Sequence, residues 1–593
     1  MTKQPSTTER SRITRVLVAN RGEIAVRIIH ACHESGRVAV AVYADDDADA
    51  LFVHLADEAY SLEGDSPKDT YLDIERLIGV GTRVHADAVH PGYGFLSENA
   101  DFAQAVIDAG MVWIGPRPDS IRLLGDKVRA RRVAAEVGAP MAPGTTEPVD
   151  GPSDVIRFAR EHGLPLAIKA VHGGGGKGLK VVTRVEDIRN AYLSATREAK
   201  ESFGDGECFI ERFLDRPRHV EVQVLGDLDG HVIAVGTRDC SLQRRNQKLI
   251  EEAPAPFLDE GVSGRLCGAA VAICSHVGYV GAGTVEFLMD PDGTMSFMEV
   301  NTRIQVEHAV TEEVAGIDLV KAQFDIAEGA CVDGMDIKGH GHAMEFRINA
   351  EDPAHGFVPF PGRIDGLRVP SGPGIRFDTG IETGSVVSGR FDSLLAKLIV
   401  VAPDRSSCVS RAKRALAELE IEGVPTVAPF DRAVLEDDDF VSDDHLGVYT
   451  RWIEESFLSR TDVDDLRGPD PRRDPGADAV TRTWIEIDGR RREIGIPSRL
   501  LSSARNATHA EGDGGVSDGS SSHRHGDIVA TLTGTVTSWL VGEGSRVEMG
   551  QPVATLEAMK METQVTAPLS GSIHRTASIG DLVDFGGSLG HIE

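Results

Sequence analysis

Two short apolar runs carry carboxylates at a spacing that could do chemistry. Thr284-Val285-Glu286-Phe287-Leu288-Met289 and Met295-Ser296-Phe297-Met298-Glu299-Val300-Asn301 flank the turn formers Asp290-Pro291-Asp292-Gly293, a hairpin signature. With a four-residue loop, Met289 faces Thr294 and Glu299 faces Thr284. Strand side chains alternate, so Glu286, Glu299 and Asn301 share a face with the two carboxylates as diagonal neighbours. Beside a polyphosphate each carboxylate contact costs roughly 4 kcal/mol at about 4 Å and an effective dielectric of about 20. A divalent cation between them reverses the sign, and oxygen ligands select Mg²⁺ or Mn²⁺. Absent a phosphate, the same residues make a solvated strand face. If the chain stays extended, Arg303, Gln305 and Glu307 continue that face with Thr302, Ile304 and Val306 behind it. A cation, an amide and a carboxylate there suit a small oxyanion beside a base.

A second chemical signal is the run from Ile168 and Lys169 through His172-Gly173-Gly174-Gly175-Gly176-Lys177 to Leu179. Four consecutive glycines give up backbone entropy, and close approach of backbone N–H groups to an anion is a reason to do so. This is not a Walker A loop: Val171 and Gly178 occupy the positions of its first glycine and its Ser or Thr. A flexible surface loop is the alternative.

The third signal is Glu557-Ala558-Met559-Lys560-Met561-Glu562, where a lone lysine between methionines suits an attachment point. Leu532-Thr533-Gly534-Thr535-Val536 returns as Leu569-Ser570-Gly571-Ser572-Ile573, and Val547, Gly550 and Leu556 return as Val583, Gly586 and Ile592. The repeat fits two small β-sheets related by a pseudo-twofold axis, with Lys560 presented on a turn between the halves.

The elements that must position these residues follow from periodicity. Val16-Leu17-Val18, the polar turn at Asn20-Arg21 and an amphipathic run to Cys32, then Val38 to Tyr43, alternate as β, α and β, which predicts a parallel sheet covered on both faces. His90 to Glu98, holding Tyr93, reads as a Gly/Pro-punctuated loop entering a helix at Asn99. The charged stretch Asp462 to Asp478 reads as a linker and Trp484 to Ile496 as a hairpin about Asp488-Gly489. Ser502 to Asp527 is low-complexity. The expected organisation is α/β multidomain: 11–125, 126–213 with the glycine run, 214–457, a linker over 458–525 and an all-β domain over 526–593.

Length and composition bound the answer. The chain has 593 residues, 41% of them hydrophobic, enough for several domains with real cores. A formal net charge of −31 disfavours nucleic acid and anionic membrane as partners. Seven cysteines without a Cys-x-x-Cys pair read as reduced cytoplasmic thiols rather than disulfides or a zinc site. No apolar run approaches a membrane span.

Ala-Met-Lys-Met inside a repeated domain resembles the biotinyl domain of biotin-dependent carboxylases. Glu299 to His308, Arg238 to Lys248 and Glu345 to Asp352 resemble biotin carboxylase, an ATP-grasp enzyme, over about residues 11 to 455. The resemblance implies biotin on Lys560, ATP, Mg²⁺ or Mn²⁺, and bicarbonate as a substrate. Lys127, Lys169, the loop glycines Gly174, Gly175 and Gly176, and Glu211 to Leu214 would bind nucleotide, with His219 and Gln243 nearby. Glu286, Glu299 and Asn301 would hold the metal. Lys248, Arg303, Gln305, Val306 and Glu307 would hold bicarbonate, Glu307 being the base, while Arg347 stabilises the ureido oxygen and Tyr93 shapes the biotin pocket. The type implied is the actinobacterial acyl-CoA carboxylase α subunit. It would work with a separate carboxyltransferase β subunit, in a hetero-oligomer, after modification by biotin protein ligase. A keto-acid carboxylase such as pyruvate carboxylase is the alternative. About 70 residues between Phe457 and the carrier domain leave little for a second, enolate-stabilising domain.

Overall fold

A computed structural model of the chain describes residues 12–145, 147–171, 179–203, 206–335, 337–468, 480–487, 490–497, 526–530, 534–558, 561–583 and 586–593. Five strands open it: β1 (Arg15–Val18), β2 (Val38–Tyr43), β3 (Glu58–Ser61), β4 (Ala88–His90) and β5 (Val112–Trp113). Their order is β3-β2-β1-β4-β5 and every neighbouring pair is parallel. Parallel sheets are covered on both faces, which is why Val16 to Val18 and Ala39 to Val42 are buried on both. Helix Gly22–Glu34 makes the first crossover and turns Ile24, Ile28, Ile29 and Cys32 to the core. Helix Ala100–Asp108 starts at Asn99, whose side chain accepts from the Asp101 and Phe102 N–H groups at 2.9 Å each. That cap fixes the chain just after Glu98, which reaches the site described below.

Next comes a small antiparallel sheet, β7-β6-β8, built from β6 (Leu166–Ala170), β7 (Leu179–Val182) and β8 (Cys208–Arg212). The glycine run joins β6 to β7 in sequence, and His172 to Gly178 lie outside the described residues. The largest sheet has eight strands, antiparallel throughout. It contains β9 (Arg218–Gly226), β10 (Val232–Arg244), β11 (Gln247–Ala253), β12 (Gly281–Met289), β13 (Met295–Asn301) and β14 (His342–Asn349) in the order β13-β12-β9-β10-β11-β14, extended by Leu394–Ala402 and Ile375–Thr379. On β9, Val220, Val222 and Val224 pack in one core cluster with Leu266 and Ile273 of helix Glu260–His276. The alternate residues His219, Glu221 and Gln223 face the other way and are buried as well.

The β12-β13 hairpin corrects the expected register. Met289 faces Met295, so residues 290–294 form the connection, and Asp290 N–H donates to Thr294 O at 2.8 Å with Gly293 at φ +85°. A register shift then places Glu286 directly opposite Glu299 and Asn301 opposite Thr284. The extra residue, Met298, is a β-bulge, which restores the shared face that a five-residue loop alone would have lost. A second correction concerns residues 302–307, which do not stay extended. They turn into helix His308–Ala315, with Glu307 at its N-cap. The bend brings Gln305 and Glu307 inward onto the buried cations Arg238 and Lys248.

Packing of the region after β14 runs on to Leu466, buried in one cluster with Phe430 and Phe457. Val480–Ile487 and Arg490–Pro497 pair antiparallel from Ile487↔Arg490 outward, as the hairpin reading expects; Asp488 and Gly489 lie outside the described residues. So does the stretch 498–525. The C-terminal domain has two four-stranded sheets, and its halves exchange short strands. Gly534 pairs with Val583, while Val547 pairs with Gly571, the repeat-equivalent pair. Gly550 and Gly586, also equivalent, adopt φ +84° and +73°. Pro552–Ala558 and Met561–Thr566 pair from Ala558↔Met561, and Met559 and Lys560, which stand between them in sequence, lie outside the described residues. None of the seven cysteines is in a disulfide, and no helix among the described residues is long and apolar enough to cross a membrane.

Candidate active site

Strand register draws a line of charge across the large sheet. Glu299 faces Glu286, Glu286 faces Glu221 on β9, and Glu221 faces Arg238 on β10. Glu299 is half-buried, but Glu221 and Glu286 are buried side by side, which would be untenable without compensation. Arg238, with no exposed surface, supplies part of it: its guanidinium donates to Glu221 Oε2 at 3.0 Å, Gln223 Oε1 at 2.7 Å, Gln305 Oε1 at 2.7 Å and the Thr284 and Thr311 hydroxyls at 2.9 Å. Lys248 supplies the rest. Its ammonium donates to Glu286 Oε1 at 3.0 Å, to Glu307 Oε1 at 2.7 Å and to Glu221 Oε1.

Glu307 is clasped from both sides. Arg347 donates to its Oε2 at 3.0 Å and, through Nε, to Glu251 Oε1 at 2.6 Å. Burial alone would raise the Glu307 carboxyl, but Lys248, Arg347 and Arg238 outweigh it and hold the group below the usual carboxylate range. Burial likewise opposes the charge on Lys248, and Glu221, Glu286 and Glu307 overcome it, keeping the lysine charged. Glu286 is driven well below its usual range, against burial, by Lys248 and His219. His219 Nε2 stands 3.0 Å from Glu286 Oε2, and Gln243 Nε2 lies 3.2 Å from His219 Nδ1.

The remaining residues singled out in the sequence sort into those the fold brings to this cluster and those it does not. Arg303 is at the rim, donating to Glu98 Oε2 and Asn301 Oδ1 at 3.0 Å each. Val306 contributes its carbonyl, which accepts from Lys397 at 2.8 Å; Lys397 is also 3.1 Å from Glu23, and Tyr93 donates its hydroxyl to Glu23. Tyr93 is thus tied to the cluster through two buried charges. Lys127, at the start of helix Lys127–Glu136, reaches Glu299 Oε2 at 3.5 Å. Lys169 and Glu211 pair with each other at 3.0 Å on the small sheet, with Arg131 3.3 Å from the same carboxylate, and Leu214 is buried beyond β8. They form a separate group. Gly174, Gly175, Gly176 and Lys560 lie outside the described residues.

The donor set fits a hard divalent cation. Glu286 and Glu299 are directly opposed and Asn301 lies two residues along on the same face, all with oxygen to offer. Glu286 Oε1 meanwhile takes three N–H donors, from Lys248, Asn301 at 2.7 Å and Gln305 at 2.9 Å, a cationic and amide stand-in for such a charge.

Family relationships agree with this geometry. Residues 12–121 match the family described as biotin carboxylase, N-terminal domain; 126–334 match carbamoyl-phosphate synthase L chain, ATP binding domain; 345–455 match biotin carboxylase C-terminal domain; and 524–592 match biotin-requiring enzyme. The chain is 50% identical to a biotin-dependent acyl-coenzyme A carboxylase α3 subunit of Mycobacterium leprae, over 95% of this chain and 96% of the relative. This chain belongs to the biotin-dependent carboxylases, in the acyl-coenzyme A carboxylase α-subunit family. It is a biotin carboxylase joined to a biotin carrier domain. A pyruvate carboxylase subunit of Methanothermobacter thermautotrophicus is 44% identical over 72% of this chain and 87% of its own length. The biotin carboxylase domain of Hydrogenobacter thermophilus 2-oxoglutarate carboxylase, solved with MgADP, ADP and bicarbonate, is 43% identical with a TM-score of 0.69, covering 75% of this chain and 98% of that one.

Sequence reasoning gave no role to several groups of the carboxylase cluster: Glu221, Arg238, Glu251, Glu345, Glu23, Glu98 and Lys397. Glu221 had a signal in the alternation Val220-Glu221-Val222-Gln223-Val224. Periodicity reports that one face differs from the other, and only tertiary packing reveals that both are buried.

Proposed function

We propose that this chain carboxylates biotin on its own Lys560, with ATP and bicarbonate, as the α subunit of an acetyl- or propionyl-CoA carboxylase whose carboxyltransferase is a separate chain. Similarity to the M. leprae α3 subunit over 95% of this chain supports the acyl-CoA acceptor, whereas the pyruvate carboxylase relative matches over 72%. On this reading biotin protein ligase modifies the chain, the assembly is a cytoplasmic hetero-oligomer, and the domains divide near residues 125, 213, 457 and 525.

The observation that carries the chemistry is the double clasp on Glu307. Ionised and buried, Glu307 can accept the bicarbonate proton at either oxygen. Lys248 and Arg347, which hold it too acidic to be a good base before bicarbonate binds, turn part of their charge to the anion once it sits beside Arg303 and Gln305. The basicity of Glu307 then rises where it is needed. Deprotonated bicarbonate, held by fixed cations, is positioned to attack the γ-phosphate, so catalysis rests on orientation and charge. Lys127, Lys169 and Glu211 would position nucleotide together with Leu214, His219 and Gln243. Glu286, Glu299 and Asn301 would hold Mg²⁺ or Mn²⁺, which would offset the phosphate charge. Arg347 would also stabilise the ureido oxygen of biotin, with Tyr93 shaping the biotin pocket.

The test uses the purified biotinylated chain with ATP, Mg²⁺ and labelled bicarbonate. Label should be fixed on the chain, and no carboxylated thioester should form from acetyl- or propionyl-CoA until a carboxyltransferase subunit is added. Thioester product from the single chain would refute the two-subunit reading. Activity only with a keto-acid carboxyltransferase partner would refute the acyl-CoA acceptor.

A further inference from the structure

Away from the catalytic cluster, two histidines face each other on the carrier domain. His574 and His591 are directly opposed in the antiparallel pair Gly571–Arg575 and Ser588–Ile592, with ring centroids 5.0 Å apart and planes at 24°. Both aim Nε2 at one carboxylate: His574 Nε2 lies 3.8 Å from Glu593 Oε2 and His591 Nε2 lies 3.5 Å from Glu593 Oε1. One ligand atom from each of the three falls within 4.8 Å of the others.

The opposite edge of His574 shows what this arrangement is suited to. His574 Nδ1 lies 3.1 Å from Glu543 Oε1, while Glu543 Oε2 is fixed by the Arg575 N–H at 2.9 Å. A neutral imidazole has one proton, and a carboxylate on Nδ1 claims it, which leaves a lone pair on Nε2. A doubly protonated ring would donate to Glu543 and Glu593 at once, whereas the neutral ring turns its Nε2 lone pair toward the Glu593 carboxylate, an arrangement that a divalent cation between them stabilises. An outer carboxylate that fixes tautomer and ring orientation is the usual support of a metal-binding histidine.

We propose that His574, His591 and Glu593 form a binding site for a zinc-type divalent transition metal, with Glu543 holding His574 in the ligating tautomer. Two imidazole nitrogens and one carboxylate oxygen are a zinc donor set with a position left for water, and nitrogen donors disfavour Mg²⁺ and Ca²⁺. Tetrahedral bonds of about 2.0–2.1 Å put neighbouring ligand atoms about 3.3 Å apart, and the three ligand atoms already lie within 4.8 Å of one another, each ring nitrogen within 3.8 Å of a Glu593 oxygen. The site clamps two strands of one carrier sheet. The strands that flank Lys560 in sequence, Pro552–Ala558 and Met561–Thr566, belong to the other sheet, so the metal site engages neither of them.

The test is carbethoxylation footprinting of the full chain, read peptide by peptide with excess Mg²⁺ present and Zn²⁺ added stepwise. Total zinc uptake would not discriminate, because Asp227, His231 and Cys331 form another candidate group. Zn²⁺ should slow modification of His574 and His591 together. His591→Ala should abolish protection of His574, and Glu543→Gln should raise the zinc concentration needed by about tenfold or more. Neither substitution removes a core side chain, and unchanged amide exchange in the carrier core will show that each variant is folded. Protection of His574 that persists in His591→Ala, or no protection of either ring at a hundredfold molar excess of Zn²⁺ (roughly the range in which a weak surface site fills), overturns the proposal.

Discussion

The large carboxylase sheet and the carrier sheets are both antiparallel, yet they bury opposite things. The first encloses Glu221, Arg238, Glu251 and Glu345 with no exposed surface. The second encloses Ile528, Val536, Val553, Leu556, Ile573 and Leu589, and among the described residues it buries no charged side chain. A site that must hold a small anion and take its proton needs charges in place before the substrate arrives, and low-dielectric surroundings make them effective. Each such charge must then be balanced by another, from strands far apart in sequence. The carrier instead holds itself together by local apolar packing, against which Val358 of the carboxylase portion also lies. The difference is between chemistry that is fixed and chemistry that is delivered.

The largest effect should come from breaking delivery alone. Lys560→Arg keeps the charge but loses the amine nucleophile, so streptavidin should detect no biotin on the variant while ATP cleavage driven by free biotin survives. A streptavidin-positive variant would refute the attachment site. Breaking the fixed side is next. Glu307→Gln should lower bicarbonate-dependent turnover by about 10²–10⁴-fold, the usual worth of a general base, with little change in the ATP KM. An equal loss of ATP affinity would mean that Glu307 organises the whole cluster rather than acting as its base.

The same contrast explains what the sequence revealed. The carrier's repeat was legible because it is local and its equivalent positions Val536, Ile573, Leu556 and Ile592 are all core residues. The parallel N-terminal sheet was legible from the β, α and β alternation around Val16 and Val38. The carboxylase site was legible through its motifs and the shared face of Glu286, Glu299 and Asn301. Its register was not, because the Met298 bulge leaves no compositional mark. Nor was the bend after Asn301, since Arg238 and Lys248, which pair with Gln305 and Glu307 beyond it, lie on strands more than fifty residues away. Buried carboxylates such as Glu251 and Glu345 look like solvated ones until their neighbours are known.

A smaller effect separates buried charge from buried pairing. Glu251 and Glu345 are directly opposed on β11 and β14, and among the described residues neither oxygen of Glu345 accepts a hydrogen bond. Lys248 and Glu307 also face Glu251, as do Arg347 and, more distantly, Cys240 and Asp431. Burial pushes Glu251 up to about 7 even though Arg347 lowers it. A folded-state value above the unfolded one means that the folded chain holds this proton more tightly. That stabilisation is full below the unfolded value of about 4.3 and is lost as pH rises through about 7. Parent stability relative to Glu251→Gln should therefore fall across that window, with a slope approaching about 1.4 kcal/mol per pH unit. Amide exchange of β11 and β14 measures it locally, and parallel pH profiles for parent and variant would show that Glu251 does not titrate there.

The smallest effect tests the carrier's symmetry. Gly550 and Gly586 occupy repeat-equivalent turns at φ +84° and +73°, where an L-residue is strained whatever the space around it. A Cβ built on Gly550 meets nothing within 4 Å, so Gly550→Ala should register backbone strain and little else. The left-handed region costs an L-residue about 1–2 kcal/mol. If the two halves are equivalent in energy as well as in pairing, Gly550→Ala and Gly586→Ala should each weaken the carrier by about that amount, and the double variant by about their sum. Amide exchange in Gly534–Trp539 and Gly571–Arg575 reads this within the full chain, where a single melting temperature would mix several domains. A cost confined to one substitution would mean that the twofold relation is one of topology, with stability concentrated in one half. Because the proposed metal clamp joins Gly571–Arg575 to Ser588–Ile592, adding Zn²⁺ should slow exchange in Gly571–Arg575 more than in Gly534–Trp539, which makes the two halves unequal by ligand rather than by sequence.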